Sequence, residues 1–68
     1  MYHDEFVDRY EAQGMELQAE EVEQDQWLLQ AVDRDGTIVA TLPVLKKVVQ
    51  ELYAAGRLSR AWEPGGLL

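Results

Sequence analysis

The chain has no cysteine, one histidine, two prolines and only six basic residues against thirteen acidic ones among its 68 positions. Each shortage removes a class of chemistry. Without cysteine there is no disulfide framework, no thiolate zinc site and no thiol nucleophile. His3, expected to be exposed near the start of the chain, has no second histidine and no closely spaced ligand set with which to hold a transition metal. Ser59 is the single serine, the threonines are Thr37 and Thr41, and no histidine stands where a base for any of them is expected. The glycines are scattered at positions 14, 36, 56, 65 and 66, so there is no phosphate-cradling loop. Apolar runs such as Trp27-Leu28-Leu29 and Ile38-Val39-Ala40 fall far short of the roughly 20 residues of a membrane span. Met1-Tyr2-His3-Asp4-Glu5 has neither the basic region nor the apolar stretch of a secretory signal. A cytoplasmic protein with no cofactor, no metal and no catalytic residue is the expectation.

What the chain has is acid, unevenly placed. Its formal charge is −7. Residues 1–26 contain nine acids (Asp4, Glu5, Asp8, Glu11, Glu16, Glu20, Glu21, Glu23 and Asp25) and one base, Arg9. Residues 43–68 contain Lys46, Lys47, Arg57 and Arg60 against Glu51 and Glu63. A front half of this sign repels phosphate and anionic lipid and attracts basic protein surfaces.

The hydrophobic periodicity divides the chain into a few elements. Tyr2, Phe6, Val7 and Tyr10 recur at three- and four-residue steps, predicting an amphipathic helix that Gly14 ends. Asp4 and Glu5 in its first turn suit the macrodipole. Met15, Leu17 and Ala19 then alternate with Glu16, Gln18 and Glu20, the pattern of a half-buried strand. Continued helix over 15–22 is the alternative, since these are good helix formers. Strand is preferred because a hairpin lies just downstream for it to pair with. Residues 26–33 and 37–42 are rich in Leu, Val, Ile, Thr and Trp and flank Arg34-Asp35-Gly36, a hairpin signal. Beyond them Thr41 is expected to cap, and Pro43 to open, a second helix whose stripe is Leu45, Val48, Val49 and Leu52 and whose end is Gly56. Residues 57–62 alternate weakly, as a short extra strand would.

The expected fold is therefore a single α+β domain over 1–63, with a Pro-Gly-Gly-Leu-Leu tail over 64–68. Its order is helix, three-stranded antiparallel meander, helix (α-β-β-β-α), with a short C-terminal strand. At this length a domain buries only about 60% of its unfolded surface, so a partner helps.

Three constellations bear on function. Asp33-x-Asp35-Gly36 looks like part of a calcium loop, but its first and twelfth places would fall on Ala31 and Leu42, which offer no ligand. Carboxylate pairs are numerous, yet their spacing turns them toward water, away from the burial that tunes catalytic acids. Lys46 and Lys47 early in the second helix, with Arg57 and Arg60, form the one basic strip. The element order over roughly residues 3–56 is similar to that of double-stranded RNA-binding domains, which set lysines at the start of the second helix. That resemblance implies nucleic-acid binding through Lys46 and Lys47, and Arg57 and Arg60 would extend the strip.

The acids imply a different partner, and this is the preferred reading. Asp4, Asp8, Glu11, Glu16 and Glu20, with Trp62 as an exposed aromatic, would dock on a basic surface of another protein. The domain is then a non-catalytic regulator, adaptor or inhibitor. One version is a nucleic-acid-mimicking decoy of the kind phages and mobile elements use; another adds a homodimer through Val44, Tyr53, Leu67 and Leu68.

Overall fold

The structure is a computed structural model; it describes residues 2–63, 66 and 67, with side chains for 3–59. The first helix, α1 (Tyr2–Ala12), leads into β1 (Glu16–Glu23), β2 (Gln26–Val32) and β3 (Ile38–Leu45). The second helix, α2 (Lys46–Ala54), is followed by β4 (Arg60–Glu63) and β5 (Gly66–Leu67). Strand order across the sheet is β3-β2-β1-β4-β5. The expected helix–three-strand–helix α+β domain is the observed one, and the short C-terminal strand is present as β4.

Hydrophobic alternation builds the core on one face of the sheet. Leu17 and Ala19 of β1 pair opposite Ala31 and Leu29 of β2, and Trp27 pairs with Val44 of β3. With Val7 of α1, Val49 and Leu52 of α2 and Leu58, these form the buried cluster, and Phe6, Tyr10, Leu42 and Val48 pack around it. Full burial of one such aliphatic or aromatic side chain stabilises by about 1.5–3 kcal/mol. Both helices belong to this face. The other face carries no element among the described residues.

Local chemistry sets the turns. Asp33 Oδ1 accepts hydrogen bonds from the backbone N–H groups of Asp35 and Thr37, both at 2.9 Å, and Gly36 takes the left-handed φ of 84° that the hairpin needs. This explains the Asp-x-Asp-Gly pattern without a metal. The two helices end alike. Met15 N–H donates to the Tyr10 carbonyl and Gly14 N–H to that of Glu11, while Arg57 N–H donates to Leu52 and Gly56 N–H to Tyr53. Both are six-to-one and five-to-two bonded caps. Ser59 then donates through N–H (2.7 Å) and Oγ (2.9 Å) to the Leu17 carbonyl, which delivers β4 into parallel register beside β1.

Three expectations are corrected. Thr41 and Pro43 do not start the second helix; they lie in β3, which runs to Leu45, and α2 begins at Lys46. An edge strand tolerates a proline that lacks an N–H, so the helix-start signal loses to strand pairing. Leu45 precedes α2 at 65% exposure and takes no part in its buried stripe, whereas Val44 packs against the core. His3 is not exposed: its side chain retains 12% of its accessibility, and Nε2 lies 3.5 Å from Asp4 Oδ1. Of the expected tail, Gly66 and Leu67 pair antiparallel with Glu63 and Trp62 as β5, while Pro64, Gly65 and Leu68 lie outside the described residues.

Candidate docking face

The acids expected to form one surface fall on two sides of the sheet. Leu17 and Ala19 face the helices, so Glu16, Gln18 and Glu20, alternating with them, face the opposite way. Asp4, Asp8 and Glu11 sit on α1, on the helix side. There, two of them already have a partner. The cap at Gly56 turns the chain so that Arg57 Nη2 reaches both Asp8 Oδ1 and Glu11 Oε1, the latter at 2.8 Å. Those bonds, to Glu11 first and Asp8 second, hold the guanidinium pKa above its ordinary value. Asp4 is half exposed beside His3.

The basic strip is split by the same contacts. Arg57 is spent on α1. Lys46 is half-buried and Lys47 exposed at the start of α2, with no acid in that turn. Arg60 and Trp62 pair in register with Gln18 and Glu20 on β4, and their side chains lie outside the described residues.

What the sequence reasoning missed is the composition of the uncovered sheet face. Register places Glu16 opposite Val32, Gln18 opposite Gln30 and Glu20 opposite Leu28; beyond these, Gln30 meets Thr41, Leu28 meets Pro43 and Gln26 meets Leu45. A bulge between Glu21 and Glu23 inserts Val22, which is 51% exposed. At the centre Gln18 Nε2 donates to Gln30 Oε1 at 2.7 Å, and Gln30 is only 4% exposed.

Two open grooves flank that polar centre. One, of about 500 Å³, is lined by Val22, Gln26, Trp27, Leu28, Pro43, Val44 and Leu45. The other, of about 380 Å³, lies toward the hairpin among Glu16, Gln18, Val32, Arg34 and Ile38. β1, β2 and β3 together contain four glutamates and no lysine, arginine, histidine or aspartate. A signal for this face was present in the sequence. Leu28 and Leu29, and Pro43, Val44 and Leu45, are consecutive apolar residues in strands, which puts apolar surface on both faces of the sheet.

No described cluster of three His, Asp or Glu residues could hold a metal ion. No helix among the described residues is long and apolar enough to cross a membrane. No family model, curated protein or solved structure matches the chain.

Proposed function

We propose that this chain is a non-catalytic protein-binding module, a small regulator, adaptor or inhibitor that docks on a basic surface of a partner protein in the cytoplasm. One observation carries the reading: a sheet whose helix-free face sets apolar residues of β2 and β3 (Leu28, Pro43 and Leu45) beside a glutamine centre and the glutamates Glu16 and Glu20 of β1. Exposed apolar area of this kind, rimmed by one sign of charge, is characteristic of protein interaction surfaces. The net charge of −7 steers encounter with a cationic partner. The nucleic-acid alternative is disfavoured because Arg57 is committed to Asp8 and Glu11 and the charged residues of β1, β2 and β3 are all glutamates, which repel phosphate.

Retention measurements test the proposal. The immobilised domain is challenged at about 50 mM salt with basic proteins, duplex DNA and duplex RNA. Selective retention of a basic protein, weakened by the double reversal Glu16→Lys and Glu20→Lys, is the expected outcome. Retention of nucleic acid with a steep salt dependence would instead assign the chain to Lys46, Lys47, Arg57 and Arg60.

A further inference from the structure

We infer that the occupant of the helix-free sheet face is an amphipathic α-helix of the partner, with an aliphatic stripe bordered on one side by lysine or arginine. The inference rests on the protein-binding reading and adds to it the surface and the partner's chemistry.

Dimensions match first. β1 to β3 spans about 10 Å at the usual strand spacing, and a helix with its side chains is about 10–12 Å across. An aliphatic stripe lying along the strands would meet Val22, Leu28, Pro43 and Leu45, the apolar wall of the larger groove. Charge then sets the orientation. Glu16 and Glu20 stand four residues apart on β1, about 13 Å along the strand. Cations seven residues apart lie on one edge of a helix, two turns and about 10.5 Å along it, so a long basic side chain every second turn meets both glutamates. The helix lies with its basic edge over β1 and its aliphatic edge over β3.

Other occupants answer only part of this pattern. A second copy would cover the apolar half, but β1, β2 and β3, the strands it would lay on Glu16 and Glu20, carry no cation; Arg34 in the hairpin and Arg60 on β4 stand only at the borders of that face. An added strand beside the apolar half would pair along the free edge of β3, where Pro43 lacks an N–H, and the other edge strand, β5, is two residues long.

The probe is a synthetic helical peptide of about 18 residues with a leucine stripe and lysines seven apart. A peptide of the same composition in scrambled order is the control. Binding is followed on the isotope-labelled full chain by amide chemical shifts and by calorimetry. The patterned peptide should bind at least about tenfold more tightly than the scrambled one, shifting amides of β1, β2 and β3. Val22→Ser with Leu45→Ser, both at exposed positions, should weaken it about tenfold. Glu16→Gln with Glu20→Gln should weaken it at about 50 mM salt and lose that effect near 500 mM. Circular dichroism confirms that each variant is folded. Binding with shifts confined to α1 overturns the inference and leaves the protein-binding reading standing. The same sheet shifts on concentrating the domain alone overturn it in favour of a second copy. Failure to bind either peptide, joined with no retention of any basic protein, removes both.

Discussion

Replacing Trp27 with phenylalanine separates two opposing contributions that the fold concentrates in one residue. Trp27 is 1% exposed, and its Nε1 is a buried polar atom with no hydrogen-bond partner among the described residues. Trimming the indole to a phenyl ring gives up about 50 Å² of apolar burial, or about 1.2 kcal/mol. It also leaves a void of about 40 Å³, which costs about 1 kcal/mol more. Against that loss, the substitution removes an N–H whose desolvation without a partner costs about 1–3 kcal/mol. The two nearly cancel. Trp27→Phe should lie within about 1 kcal/mol of the parent, while Trp27→Ala, which empties the site, should lose about 3–5 kcal/mol. A chain of this length has a net stability of about 3–10 kcal/mol, so the alanine variant stands close to unfolding. Urea titration followed by far-ultraviolet circular dichroism is the assay, since Trp62 also emits and confuses fluorescence. A loss above about 2.5 kcal/mol for Trp27→Phe, at an unchanged urea slope, would refute the reasoning.

Four further outcomes are expected. Asp33→Ala removes the acceptor of two turn hydrogen bonds and should cost about 0.5–1.5 kcal/mol in urea, whereas Asp33→Asn keeps an oxygen there and should lose less. Gly36→Ala meets no atom within 4 Å of the new Cβ, so its cost is that of the left-handed backbone alone, about 1–2 kcal/mol by thermal melting. Ser59→Ala keeps the backbone bond to Leu17 and loses the hydroxyl one; it should cost about 1 kcal/mol and loosen amide exchange protection in β4. Arg57→Gln should lower the melting temperature in dilute buffer, and the difference should shrink near 1 M salt, where screening acts within about 3 Å; a difference independent of salt would assign Arg57 a packing role instead.

The helices and the β2–β3 hairpin were legible because their signals are local. Val7 and Tyr10 at helical spacing, Gly14 and Gly56 past the helix ends, and Asp33 to Gly36 between two strand-like runs each act within a few residues of themselves. The start of α2 was misread for the same reason. Thr41 and Pro43 carry a local helix-start pattern, but Leu28 and Gln30 on the neighbouring strand claim them for β3, and no local rule registers that pairing. The partial burial of His3 is likewise invisible in a count of nearby residues. The meander was expected; the placement of β4 beside β1, through the Ser59 latch, depends on contacts more than forty residues apart.

The division of the acids follows from strand alternation combined with a single long-range contact. Glutamates on β1 alternate with Leu17 and Ala19, so burying the latter against the helices obliges Glu16 and Glu20 to point away from them. The acids on α1 are on the helix side by the same constraint, and Arg57 meets two of them because the α2 cap brings it there. Nearly half of the expected acidic surface is thereby answered within the molecule. The glutamates of β1 belong with the aliphatic side chains of β2 and β3, which no helix covers. A partner that answered charge alone would leave Leu28 and Leu45 in water, and one that answered only the apolar side chains would bury Glu20 without a counter-ion, a costly arrangement. On the proposed reading, the two features together select a ligand that is apolar and cationic along parallel lines.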